Sequence, residues 1–181
     1  MKGAEVHGVL RAELGPWLKE SGSRRSRELK SGWELASADR VRSIWAQLDK
    51  RGWDPHLGSR FFVNFRCAAP VGGSVREERL NFFLTDAELE EARAYHNEVV
   101  ARAPAPAEEY FAALEQAFAA SPDRAAILGS VRAMFEPDPT PWRRHQDISL
   151  SYWRAEDVAG WARFILRVLP RAVDEMGRWV V

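Results

Sequence analysis

The sequence predicts an α+β fold, an antiparallel sheet of about four strands with helices packed mainly on one face. Three features carry that prediction. Residues 60–67 (Arg-Phe-Phe-Val-Asn-Phe-Arg-Cys) alternate strictly. Phe61, Val63, Phe65 and Cys67 share one face, and Phe62, Asn64 and Arg66 the other, the period of a half-buried strand. Residues 85–88 (Thr-Asp-Ala-Glu) form a capping box, in which the Thr hydroxyl takes a first-turn amide and the Glu reaches back. Residues 156–180 keep a 3.6-residue apolar period through Val158, Trp161, Ile165, Val168, Leu169, Ala172, Val173, Met176 and Val180, the mark of a long helix.

From the N-terminus, residues 4–20 carry Val6, Leu10, Leu14, Trp17 and Leu18 on one helical stripe. Pro16 removes a backbone donor inside that stripe, so a kink, or a short second helix from Gly15-Pro16, is expected there. Ser21-Gly22 ends the helix. Residues 23–30, with Arg24, Arg25, Arg27 and Lys30, read as a solvated basic connector; phosphate or an acidic partner is the functional alternative. Residues 31–36 alternate Trp33 and Leu35 with smaller or polar neighbours and suggest a short strand. In residues 41–49, Ile44, Ala46 and Leu48 share a face with Arg42, while Val41, Ser43, Trp45 and Gln47 take the other. About ten residues then lead to strand 60–67, longer than the two to five usual in a hairpin.

Pro70 and Gly72-Gly73 mark a turn, and residues 79–84 (Arg-Leu-Asn-Phe-Phe-Leu) read as a third strand. The capping box opens a helix to about Arg102, with Leu89, Ala92, His96, Val99 and Ala103 inward. Ala103-Pro104-Ala105-Pro106 stops it. Residues 107–120 form a helix on Tyr110, Phe111, Leu114 and Phe118. Another starts at Ser121-Pro122-Asp123, with Ser as cap and Pro at the first position, and runs to about Phe135. Three prolines make residues 136–141 a stiff extended connector. Residues 146–153 alternate Ile148, Leu150 and Tyr152 against Asp147, Ser149 and Ser151, a last strand. Pro170 predicts a bend in the final helix.

At 181 residues, 46% hydrophobic and 11% aromatic, the chain is expected to form one α+β domain over residues 1–181, with residues 104–135 as a helical insertion. The 26 basic and 26 acidic residues cancel, which argues against a general nucleic-acid binder. Residues 1–80 hold 15 Lys and Arg against 10 Asp and Glu, and residues 81–181 hold 11 against 16. That asymmetry balances across the fold or presents a basic face to an acidic partner. One cysteine, Cys67, allows no intrachain disulfide. The N-terminal residues show no signal-peptide run, and no stretch reaches the roughly 18 apolar residues of a membrane span. A reducing cytoplasm is the expected compartment, with no membrane association.

Chemistry concentrates in two places. The loop Gly52-Trp53-Asp54-Pro55-His56-Leu57-Gly58 offers His56 as a general base, oriented by Asp54, with Arg60 to steady a developing anion, as in a hydrolase or nuclease. The stretch Trp142-Arg143-Arg144-His145 pairs a stacking ring with charge; with Trp53 it forms the candidate binding surface. A metal site is not expected: Asp54 and His56 make one close pair, and His145 with Asp147 supplies a second only if the two loops meet. His96 reads as a core histidine. There is no phosphate-binding glycine loop and no Gly-x-Ser-x-Gly elbow, so no cofactor is expected. Eight tryptophans exceed what a core of this size needs, and the surplus suits packing across the sheet or anchoring a protein interface.

Leu14-Gly15-Pro16-Trp17-Leu18-Lys19-Glu20-Ser21-Gly22, the basic run, a strand over residues 41–49 and Phe61-Phe62-Val63-Asn64-Phe65 resemble a family of small bacterial domains of unknown function, catalogued under number 4304. The resemblance spans residues 6–67 and, less clearly, 148–169. Ser23 stands where that family has an aromatic, and Phe65 where it has a Gly. It implies the same α+β fold and brings no activity or site. The functional expectation is therefore a non-catalytic domain of immunity or regulatory type that binds another protein, with the Asp54/His56 hydrolase or nuclease and a nucleic-acid-binding module as alternatives.

Overall fold

The strand over residues 60–67 becomes the hub of the sheet because both of its edges find partners. The computed structural model describes residues 1–29, 32–37, 40–69, 73–104, 106 and 108–179. Along them run α1 (Gly3–Glu20), β1 (Arg24–Arg25), β2 (Gly32–Ala36), β3 (Val41–Leu48), β4 (Ser59–Ala68) and β5 (Val75–Arg79). A 3-10 turn (Leu80–Phe83), α2 (Asp86–Ala101), α3 (Glu108–Ala117), α4 (Arg124–Ala133), β6 (Leu150–Tyr152) and α5 (Ala155–Gly177) follow. The sheet is antiparallel in the order β1-β2-β3-β4-β5, and β6 pairs with the start of β4.

The register puts Ile44 opposite Phe65, Ala46 opposite Val63 and Leu48 opposite Phe61, so the apolar sets of β3 and β4 coincide. Trp33 and Leu35 of β2 and Leu150 and Tyr152 of β6 join the same face. With Val6, Leu10, Leu14 and Leu18 of α1 and Trp161, Ile165, Leu169 and Met176 of α5, they form the main core. Arg42 lies on this inner face too. Its Nη1 reaches the carbonyl of Val173 (3.4 Å), while Arg40 Nη1 bonds the carbonyls of Gly177 (2.7 Å) and Trp179 (3.1 Å). Cations thus meet the carbonyl end of α5, where orphan acceptors and the dipole favour them.

Among the described residues the sheet has six strands where about four were expected. β1 lies inside the basic run taken for a connector, and two residues are too few to show a period. β5 turns Arg76 and Glu78 toward the inner face opposite Cys67 and Phe65; the charge on this short strand hides it from an apolar search. The strand expected over residues 79–84 does not form beyond Arg79, the last residue of β5. Leu80–Phe83 close a 3-10 turn that buries Leu80, Asn81 and Phe83. The last strand shrinks from residues 146–153 to three, because residues 143–146 close a turn of their own: Arg143 N donates to Gln146 Oε1 (2.8 Å) and Gln146 N to the Arg143 carbonyl (3.1 Å).

Among the helices, α1 passes through the exposed Pro16 as one element, and no second helix starts there. α4 begins at Arg124 rather than at Pro122, since Ser121 Oγ accepts from Asp123 N (3.3 Å) and forms a turn instead of a cap. The capping box at Thr85 forms as expected. Glu88 N donates to Thr85 Oγ1 (3.2 Å) and Thr85 N to Glu88 Oε2 (2.7 Å). The expected roles of Lys30, Ser31, Pro70, Gly72, Ala105 and Val180 fall outside the described residues. No described helix is long and apolar enough to cross a membrane.

Candidate functional site

The long β3–β4 loop is held shut. Asp54 N and Gly58 N exchange hydrogen bonds with the Gly58 and Asp54 carbonyls (3.0 and 2.8 Å). Asp54 Oδ1 accepts from His56 N (2.8 Å) and Leu57 N (2.9 Å), a side-chain-closed turn. Two indoles fasten this turn to the segment entering α5: Trp53 Nε1 donates to the Trp153 carbonyl and Trp153 Nε1 to the His56 carbonyl, both at 3.0 Å. Trp153 is buried.

The three candidate catalytic side chains therefore have separate employments. The Asp54 carboxylate serves loop amides. The His56 ring stacks on Tyr110 of α3, with centroids 4.9 Å apart. Arg60 Nε donates to Asp49 Oδ2 at 2.7 Å. Asp54 and Arg60 line a cavity of about 60 Å³ with Asp49, Arg51, Met134 and Ser151, and His56 is not part of its wall. Burial is the largest influence on Asp49 and pushes its pKa up. The Arg51 amide and the Arg60 and Arg51 side chains outweigh it and hold the group at about 2. A carboxylate so firmly ionised is a structural anion, not a proton carrier at neutral pH.

The Trp142–His145 stretch lines a different space. Asp138, in the proline connector, is pinned to α2: its N donates to Asn97 Oδ1 (2.8 Å), and its carbonyl accepts from Asn97 Nδ2 (3.1 Å) and Arg93 Nη1 (2.7 Å). Its carboxylate accepts from Thr140 N (2.9 Å) and Trp142 Nε1 (2.9 Å). Trp142 is consequently half-buried, 5.3 Å from the His96 ring. Burial lowers the His96 pKa, partly offset by Asp138. These groups line a polar cleft of about 370 Å³ with Gln146 and Asp147. The two expected loops do not share either of these cavities. Arg143, Arg144 and His145 stand exposed on the turn, whose backbone is held by Asn81 Nδ2 through the carbonyls of Arg144 and Gln146 (2.9 Å to the latter).

The outer face of the sheet was not singled out as a site from the sequence. It carries Trp45 and Gln47 of β3 opposite Asn64 and Phe62 of β4. Trp45 and Phe62 are partly exposed and lie outside the main core cluster. The Arg79 guanidinium sits 4.1 Å from the Phe62 ring centroid and pairs with Asp147, which joins this face to the Arg143–His145 turn. Arg66 pairs with Glu77 at 3.8 Å on the same face. The signal lay in the parity of Trp45 and Phe62, both off-phase from the core, but seeing them as neighbours required the β3–β4 register. Among the described residues, no cluster of His, Cys, Asp and Glu is placed to hold a metal ion. No protein-family model, curated protein or solved structure matches the chain.

Proposed function

We propose that the chain is a non-catalytic interaction domain, of immunity or regulatory type, that binds another protein on the outer face of its sheet. The observation that carries this reading is the aromatic pair Trp45 and Phe62, set on the side of the sheet away from the core, with Arg79 stacked on Phe62. Trp and Arg dominate interface hot spots because each covers much apolar area while keeping a polar handle. The exposed turn with Arg143, Arg144 and His145 adjoins this face through the Arg79–Asp147 pair and supplies a polar rim. The hydrolase or nuclease alternative has less support, because Asp54 is committed to backbone amides and Arg60 to Asp49.

A photo-crosslinking residue at Gln47 in the full chain tests the reading in the source cells, with Ala112 of α3 as the control position. One discrete protein adduct at residue 47, absent at residue 112 and lost with Trp45→Ala, is the expected result. Equal adducts at both positions, or turnover of a small substrate by the purified chain, would reject it.

A further inference from the structure

The basic run after α1 is not a free connector. Gly22, with φ +79°, reverses the chain after α1, and Ser23 N donates back to the Leu18 carbonyl (2.9 Å). That reversal lays Arg24 and Arg25 against Glu34 and Trp33 of β2. It also creates a cleft of about 240 Å³ between the C-terminal half of α1 and the β1–β2 edge, lined by Arg11, Gly15, Lys19, Ser23, Arg25 and Trp33. Three of those six residues are cationic and none carries a carboxylate.

Among the described residues, no carboxylate pairs with Arg11, Lys19 or Arg25. Glu34 of β2 pairs with Arg24 (3.5 Å) and Ser26 Oγ (2.5 Å), and Glu13 of α1 with Arg163 (4.0 Å). Arg11 Nε bonds the His7 carbonyl (3.0 Å), which orients its guanidinium without neutralising it, and the Arg25 guanidinium stands 5.6 Å from the Trp33 ring. The Ser23 hydroxyl is buried with no hydrogen-bond partner. An unsatisfied buried hydroxyl is destabilising, and three uncompensated cations around one space repel each other.

We infer that this cleft is an anion site for a phosphoryl group. A phosphate monoester carries close to two negative charges at neutral pH and three strong acceptor oxygens, which answer the two guanidiniums, the ammonium and the Ser23 hydroxyl together. A carboxylate would leave two positive charges unmatched. The inference does not rest on the protein-binding reading, whose surface is the outer face of the sheet.

The test is titration of the full chain with inorganic phosphate and with phenyl phosphate, followed by calorimetry and by amide shifts, against sodium chloride at equal ionic strength. Saturable binding with shifts at Gly22, Ser23 and Arg25 is the expected result. Arg25→Ala and Lys19→Gln should each weaken it about tenfold or more. Ser23→Ala should weaken it severalfold, and Arg132→Ala, on α4, should leave it unchanged. Tighter binding of phenyl phosphate identifies an organic ester as the ligand, and equal affinities identify free phosphate. Shifts matched by sodium chloride, or binding indifferent to both Arg25→Ala and Lys19→Gln, overturn the site.

Discussion

Gly58 is the residue on which the β3–β4 loop closes. Its φ of +62° lies in the left-handed region, and an added Cβ would stand 2.6 Å from the Tyr152 carbonyl oxygen and 2.7 Å from the Trp153 ring. Neither neighbour yields cheaply, since one is strand backbone and the other is a buried indole bonded to the His56 carbonyl. Gly52, in the same loop with φ +76°, has nothing within 4 Å of that position. Gly52→Ala should therefore cost only the left-handed strain, about 1 kcal/mol, and Gly58→Ala about 3 kcal/mol or more, since overpacking adds to the strain. Urea unfolding of the two variants measures the difference, and equal losses would refute the collision. At this scale the sequence left two readings open for a physical reason. Asp54 and His56 stand two apart, a spacing that suits a catalytic pair and equally suits an aspartate closing a turn on its own amides. Which one forms depends on what fastens the loop, here Trp53 and Trp153, a hundred residues apart in the chain.

Elements announced themselves where their own residues supply the period. β4 is ten residues long and aromatic on both faces, so its inward set of Phe61, Val63, Phe65 and Cys67 was legible, and all four are buried. The stripes of α1 and α5 were legible for the same reason. β1 and β5 have two and five residues and exist through their pairings, which no local pattern encodes, while β6 keeps the expected Leu150–Tyr152 face over only three residues. The anion cleft was half legible: the basic run was visible, but the turn at Gly22 that brings Arg25 near Arg11 and Lys19 was read only as a helix end. The Thr85 capping box shows a local signal with tertiary consequences. Glu88 Oε2 accepts from Thr85 N and Oγ1 (2.7 and 2.9 Å) and also from Arg171 Nη2 of α5 (2.5 Å). Thr85→Ala should cost about 1 kcal/mol, as loss of a helix cap does. Glu88→Ala should cost measurably more, because it also cuts the tie to α5. A Glu88→Ala loss no greater than that of Thr85→Ala would show the α2–α5 bridge to be idle.

Over the whole molecule, the ionisable groups make stability depend on pH in two separate ranges. Burial holds His96 below its ordinary value of 6.5, with Asp138 opposing. As pH falls through 6.5, the unfolded chain takes up a proton that folded His96 resists, so stability drops until the folded group also titrates. Asp49, Glu88 and Asp138 are shifted in the same downward sense, but by their partners and not by burial. Burial pushes each upward, but hydrogen bonds from Arg51 and Arg60, from Arg171 and Thr85, and from Trp142 and Thr140 outweigh it and depress all three. Their contribution is complete above the unfolded values of 3.8 to 4.5 and is lost as pH falls through the folded ones, for Asp49 from 3.8 toward about 2. With solvent screening of the partly exposed arginines, Asp49 contributes on the order of 1 kcal/mol. Thermal unfolding followed from pH 8 to pH 2 should thus show one decline below 6.5 and a second below about 4.5. His96→Gln should flatten the first and leave the second, while Asp49→Asn should lower stability at neutral pH and shrink the second alone. A wild-type curve level between pH 7 and pH 5 would mean that His96 is not sheltered from its proton, and that the cleft it shares with Asp138 and Trp142 is open to water.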